Sequence, residues 1–309
     1  MIDVKELRKT YGDLVAVNNV SFRAEAGAIF GLLGPNGAGK TTALSCISGL
    51  LRPDAGHVQV LGHDVVSDGR ASREKLGVVP QELALYEDLS ARENLRYWGA
   101  AYGLRGKRLE DRVQAVLELI DLHDRAKEAV KRFSGGMKRR LNFGCALVHE
   151  PQALLLDEPT VGVDPQSRVA LLEMVKEQAR RGTCVLYTTH YMEEAESLCD
   201  QLAIIDHGKI IAAGTLAELR AKMGERDLLR LTGRFDPAKV RQALSRLDGV
   251  EIVQVEAAAV TLAIPEASRM LPSALQLLAA TGAELHETTL TQPNLESLFI
   301  KLTGKELRE

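Results

Sequence analysis

Eight consecutive residues constrain this chain more than any others: Gly34-Pro35-Asn36-Gly37-Ala38-Gly39-Lys40-Thr41. They fit the pattern G-x-x-x-x-G-K-[ST]. The stretch before them, Ile29–Leu33, is a continuous apolar run bounded by Gly27, which reads as a buried strand. After them Leu44, Ile47 and Leu51 recur at helical spacing. The order strand, glycine loop, helix has a physical use. Backbone N–H groups can converge on a polyphosphate only where side chains do not crowd the loop, and the following helix turns its positive dipole end toward the same anion. Lys40 supplies a mobile positive charge for the β- and γ-phosphates, and the Thr41 hydroxyl is a hard oxygen ligand suited to Mg²⁺. The alternative, a glycine-rich turn beside a solvated lysine, does not account for the flanking strand and helix.

Composition narrows the setting. The 309 residues suggest two domains at ~150 residues each, and 45% hydrophobic residues support a large core. A formal net charge of −3 lacks the basic excess expected of a general nucleic-acid binder. No apolar run approaches the roughly 18 residues of a membrane-spanning helix, and the start Met1-Ile2-Asp3-Val4-Lys5-Glu6 has no signal-peptide pattern. A cytosolic protein able to dock on a membrane partner is expected. Cys46, Cys145, Cys184 and Cys199 form no CxxC pair. Cys145 and His149, four apart, admit a zinc site, but reduced core thiols are expected.

Residues 2–33 read as short strands. Residues 87–132 change character: Ser90 and Glu93 form a capping-box pattern, Leu95, Trp98 and Tyr102 mark one helical face, and Leu109, Val113, Val116, Leu117 and Ile120 mark a second. This reads as a helical insertion in an α/β core. The core resumes at Ala153–Leu156. Asp164-Pro165 opens a helix that Gly182 closes, and strands follow at Thr183–Thr188 and Leu202–Ile205. The alternation predicts a mostly parallel sheet. Thr215 and Glu218 form a second capping box, and a boundary falls near Ala221–Asp227, around Gly224. Beyond it the pattern reads β-α-β-β-α-β over 228–290, a ferredoxin-like order, with Asn294 capping a last amphipathic helix.

Leu154-Leu155-Leu156-Asp157-Glu158 sets two acids at the carboxyl end of a buried strand, the edge where open α/β sheets bind ligands. Asp157 suits Mg²⁺, through a water, and Glu158 suits a general base. With Phe133-Ser134-Gly135-Gly136-Met137 between these motifs, the chain resembles an ATP-binding cassette (ABC) ATPase, whose signature usually reads LSGGQ. Phe133 and Met137 depart from that form.

The resemblance covers residues 2–220 and implies an α/β P-loop NTPase core with a helical subdomain and an antiparallel β arm. The ATPase domain is expected over 1–222, with its helical part at 87–132, and an accessory or regulatory ferredoxin-like α+β domain over 226–309. It implies ATP and Mg²⁺ as cofactors, with Gly34 through Thr41, Thr42, Gln81 and Tyr11 at the nucleotide. Tyr11 would stack on adenine. Thr41, Gln81 and Asp157 would serve the metal, and Lys40, Glu158 and His190 the chemistry. Ser134, Gly135, Gly136 and Asp164 would act on the nucleotide of a second protomer, in a homodimer or a pair with a related cassette. Lys131, Arg132, Lys138, Arg139 and Arg140, around the signature, read as a solvated helix face or as support near the partner's phosphates.

Gly162-Val163-Asp164-Pro165, Tyr191-Met192-Glu193-Glu194-Ala195-Glu196 and Leu295-Glu296-Ser297-Leu298-Phe299 resemble bacterial drug-, antibiotic- and polysaccharide-exporter ATPases. The expectation is an ATPase subunit that powers a separate permease at the inner face of the membrane. The competing class is a soluble ABC ATPase acting on ribosomes or DNA, which the single cassette and the acidic charge disfavour.

Overall fold

A computed structural model describes residues 1–223, 226–245, 247, 249–265, 267–291 and 295–303. The chain divides into two compact units, Met1–Ala213 and the remainder from Gly214.

The first unit opens with β1 (Ile2–Tyr11) and β2 (Leu14–Ala24), an antiparallel pair. These are long strands, not the short ones expected. Glu6 and Asn19 take φ of 51° and 57°, and the register slips between Val4 and Leu7, so the inside-outside alternation breaks in mid-strand. β3 (Ile29–Leu33) leads through the glycine loop to α1 (Lys40–Ile47). That helix stops before Leu51, because Gly49 turns to φ +72°; Leu51 rejoins the same core from the loop beyond. β4 (Ala55–Val60) and β5 (His63–Asp64) complete a four-stranded sheet in the order β2-β1-β4-β5.

Next come α2 (Gly69–Glu74), β6 (Leu76–Val79), and the helices α3 (Ala91–Ala101), α4 (Gly106–Leu119) and α5 (Gly135–Leu147). Ser90 and Glu93 form the expected reciprocal cap on α3. Then follow β7 (Ala153–Asp157), α6 (Pro165–Arg180), β8 (Cys184–Thr189), α7 (Met192–Leu198), β9 (Gln201–Asp206) and β10 (Lys209–Gly214). They build a six-stranded sheet, β10-β9-β3-β8-β7-β6, whose pairs β9-β3, β3-β8, β8-β7 and β7-β6 are parallel.

Alternation along these strands feeds two cores. Phe30, Leu32, Leu155, Leu186 and Ile205 face α1 and the antiparallel sheet, where Phe22 stacks on Phe30. Leu154, Leu156, Val185 and Tyr187 face the helices. Every residue of β3, β7 and β8 is buried. Each large side chain so placed contributes about 1.5–3 kcal/mol. The loops at the carboxyl ends of these strands therefore leave a rigid floor. Among the described residues, no helix is long and apolar enough to cross a membrane.

The second unit contains α8 (Leu216–Met223), β11 (Arg226–Arg234), α9 (Pro237–Leu244), β12 (Glu251–Val255), β13 (Ala259–Pro265), α10 (Ala267–Ala280), β14 (Glu284–Thr291) and α11 (Leu295–Thr303). Its antiparallel sheet runs β12-β13-β11-β14. Thr215 and Glu218 exchange the two capping bonds on α8. Gly224 and the expected cap Asn294 lie outside the described residues.

Cys145 is packed in the core and burial pushes its thiol up. His149 stacks flat on Tyr102, 3.6 Å between ring centres, with Nε2 on the Leu76 carbonyl and Nδ1 buried without a partner. Burial lowers its pKa from 6.5 to about 4. Between those values the unfolded chain binds a proton that the folded chain refuses, so this group costs stability as pH falls from 6.5 toward 4. Replacing it by phenylalanine keeps a ring on Tyr102 and removes the titration. His149→Phe is expected to lose less melting temperature than the parent between about pH 7 and pH 5, measured by circular dichroism.

Candidate functional site

The loop between β3 and α1 is shaped by two close approaches. A Cβ at Gly34 would stand 2.2 Å from the Ile205 carbonyl, and one at Gly39 2.3 Å from that of Ala16. Gly39 also holds φ at 104°, where other residues are strained. Gly37, at φ 80°, meets nothing within 4 Å and faces open space. The loop is thus wedged between β2 and the end of β9, with its outer side bare. The Ala38 carbonyl accepts from Gly208 N–H, which fastens it to the turn between β9 and β10.

Lys40 turns back into this loop. It is 4% exposed, and its Nζ donates to the carbonyls of Gly34 (2.7 Å) and Pro35 (2.9 Å) and meets Glu158 Oε1 at 2.9 Å. Glu158 follows β7 with φ 43°, a left-handed conformation that costs of order 1 kcal/mol or more in a non-glycine residue. That turn separates it from Asp157. Thr188 on β8 fixes both: its Oγ1 donates to Asp157 Oδ1 (2.8 Å) and accepts from Glu158 N–H (3.0 Å). Glu158 Oε2 lies 3.1 Å from His190 Nδ1. One carboxylate thus spans a lysine and a histidine.

A cavity of about 520 Å³ opens over this cluster. Asn36, Gly37, Gly39, Lys40, Thr41, Thr42, Gln81 and Glu158 line it, with Tyr11 on its wall, 47% exposed. Gly34 and Pro35 contribute through the carbonyls that hold Lys40. Asp157 and His190 stand behind the lining. Leu14, Val15, Ala16, His207 and Gly208 also line the cavity; nothing in their local sequence marks them, since the fold alone gathers them. The bare loop, the helix start and Lys40 fit a polyphosphate. A hydroxyl, an amide and a set-back carboxylate fit Mg²⁺ only when phosphate oxygens complete its shell. Among the described residues no cluster of three His, Cys, Asp or Glu offers a metal site by itself.

Ser134, Gly135, Gly136 and Asp164 line no part of this cavity. Ser134 caps α5 by accepting from Met137 N–H, which leaves its own hydroxyl proton free to donate. Asp164 caps α6 by accepting from Ser167 N–H, the main cause of its lowered pKa. The two signature glycines differ. A Cβ on Gly136 would strike Ser167 Oγ at 2.1 Å, whereas one on Gly135 would meet nothing within 4 Å. Phe133 is buried in the helical core, which absorbs its departure from leucine. Of the basic residues here, Lys131 pairs with Asp88, Lys138 with Glu87 and Arg140 with Asp121.

Residues 17–161 match the family model described as ABC transporter. The chain is 43% identical to the linearmycin resistance ATP-binding protein LnrL of Bacillus subtilis (strain 168), over 100% of both chains. It is 40% identical to the Nod factor export ATP-binding protein I of Burkholderia lata, over 100% of this chain and 98% of that one. Among solved structures it resembles an ATP-binding subunit of an ABC transporter, with TM-score 0.67 and 34% identity, covering 72% of this chain and 93% of that one. A dimeric cassette in a post-hydrolysis state bound to ADP and Pi gives TM-score 0.64 at 25% identity, covering 70% and 99%.

The glycine geometry separates two variants. Gly136→Ala is expected to destabilise the chain by about 1–3 kcal/mol through overpacking. Gly135→Ala should leave the melting temperature unchanged while weakening nucleotide-dependent dimerisation. Thermal melts and light scattering with ATP check both.

Proposed function

The chain belongs to the ATP-binding proteins of ABC transporters, and from that premise we propose that two cassettes close face to face on two ATP molecules to drive a separate export permease. The observation that carries this reading is the division of the motifs. The cavity gathers Lys40, Thr41, Gln81 and Glu158, while Ser134 and Gly135 lie exposed outside it. A serine hydroxyl and bare backbone at a helix start are anion-binding groups, and a second protomer gives them an anion to bind. The partner is another copy or a related cassette. The ATPase domain spans 1–222 and the accessory domain 226–309.

Within each site, Gly34 to Gly39, Lys40, Thr41 and Thr42 hold the phosphates and Tyr11 stacks on the base. Thr41, Gln81 and, through water, Asp157 hold Mg²⁺, which when bound withdraws charge from the phosphate oxygens. As phosphate draws off Lys40, the Glu158 carboxylate loses its cation and becomes free to accept a proton from water. The water oxygen then bonds to the γ-phosphorus, the bond to the β–γ bridging oxygen breaks, and ADP and phosphate result. His190, on the other carboxylate oxygen, orients Glu158 and reaches the γ-phosphate. Asp164 carries the state of one site to the other protomer. Loss of the bridging γ-phosphate loosens the dimer.

Relatives named for linearmycin and daunorubicin resistance and for Nod factor export support export over import. The helices over residues 87–132 receive the permease at the inner face of the membrane. Affinity isolation from detergent-solubilised membranes is expected to recover an integral partner; recovery of ribosomes or DNA instead would reverse the assignment.

Two substitutions test the chemistry. Lys40→Ala is expected to abolish productive ATP turnover and, by leaving Glu158 buried without its cation, to destabilise the chain by roughly 3–5 kcal/mol. Glu158→Gln should keep ATP binding, slow hydrolysis by about a hundredfold or more, and accumulate an ATP-bound dimer on a sizing column. Normal turnover in that variant would remove Glu158 from the role of base.

A further inference from the structure

Arg139 stands apart from Lys131, Lys138 and Arg140, which pair with carboxylates. It lies in the second turn of α5, half-buried, and its recorded partners among the described residues are backbone carbonyls. Its guanidinium donates from Nη1 to the Gln81 carbonyl (2.5 Å) and from Nη2 to the Val161 carbonyl (3.1 Å). The three segments so joined have different duties. α5 begins at the signature serine. Gln81 lines the nucleotide cavity of the same chain. Val161 lies between Glu158 and Asp164, and its N–H donates to the Glu158 carbonyl at 3.2 Å. Asn142, on the same helix and 2% exposed, strengthens the join: its Oδ1 accepts from Ala84 N–H at 3.1 Å. The segment after β6 is therefore held to α5 at two points by its backbone, whatever side chains it carries.

A planar fork of donors can grip two carbonyls in fixed directions at once; an ammonium group cannot impose that geometry. Fixing the Gln81 carbonyl fixes how that residue enters the cavity. Fixing Val161 ties the run from Glu158 to Asp164 to the same helix. We propose that Arg139 is a positioning residue that links the nucleotide cavity of its own chain to the signature surface lent to the partner, so that occupancy of one site governs turnover at the other. The inference rests on the two-site reading given above. In the resting chain Arg139 holds Gln81, Val161 and α5 as one body. When ATP draws on Gln81 and Glu158, α5 moves with them and brings Ser134 toward the second nucleotide.

The test compares the full chain with Arg139→Gln and Arg139→Lys, with its permease if the isolated subunit is inactive. Melting temperature, affinity of the monomer for a fluorescent ATP analogue, kcat, and the Hill coefficient for ATP are measured. Both variants are expected to melt within a few degrees of the parent and to bind the analogue as the parent does. Their kcat should fall by about a hundredfold, as for a misplaced catalytic group. The Hill coefficient should drop from above 1, toward about 2 for two coupled sites, to about 1. Arg139→Lys keeps the charge, so its failure to restore the Hill coefficient assigns the effect to the fork; it also supplies the reading if Arg139→Gln does not fold. A variant that keeps the parent's Hill coefficient, with or without a lower kcat, overturns the inference while leaving the two-site reading intact. A parent that hydrolyses ATP without cooperativity and whose Glu158→Gln form never dimerises overturns both.

Discussion

The contact between Lys40 and Glu158 organises the cavity end of the first unit. Both side chains are about 95% hidden from water, and each alone would be a costly buried charge. Together they neutralise one another, and the carbonyls of Gly34 and Pro35 satisfy further ammonium protons. The curl of the loop is thus coupled to the position of Glu158 across the sheet. Thr188 anchors Glu158 from a third strand, and His190 takes its second oxygen. Before nucleotide arrives, Glu158 is held by the chain's own lysine. A polyphosphate is a stronger claimant to the ammonium group, and on the mechanism proposed above the release of Glu158 becomes part of binding.

Much of this arrangement is legible in the residues, for a stated reason. The loop from Gly34 to Thr41 is a local device: its glycines, lysine and threonine act within one turn, so their spacing carries the information. The same holds for Asp164 and Pro165 at the head of α6 and for the reciprocal caps of Ser90 with Glu93 and Thr215 with Glu218. Gln81 and His190 have no such local mark and are picked out only by likeness to a family. Leu14 to Ala16, with His207 and Gly208, escape altogether, because the cavity wall forms only when β2 meets the turn after β9. Thr188 is equally silent: a threonine ending a strand is unremarkable until Asp157 and Glu158 stand beside it. The long first hairpin is disguised by its own irregularities at Glu6 and Asn19, which interrupt the two-residue alternation.

The signature shows how identical letters conceal different physics. Gly136 is glycine because α6 leaves no room for more, and Gly135 is glycine although ample room exists. The first is a demand of folding; the second is not, and the two-site reading proposed above supplies its reason. Basic residues nearby divide in a similar way. Lys131, Lys138 and Arg140 find carboxylates on neighbouring segments, as surface charges commonly do, whereas Arg139 grips backbone carbonyls. Neither distinction can be drawn from composition, since each depends on what a distant segment places opposite the residue.

The three wholly buried strands at the centre of the first unit have a mechanical corollary. Interiors packed like crystals are nearly incompressible. Displacement at the rim is therefore taken up by the connections that carry Gln81, Asp164 and His190 and not by the strands beneath them. The sheet is the anvil, and what yields lies along its edges.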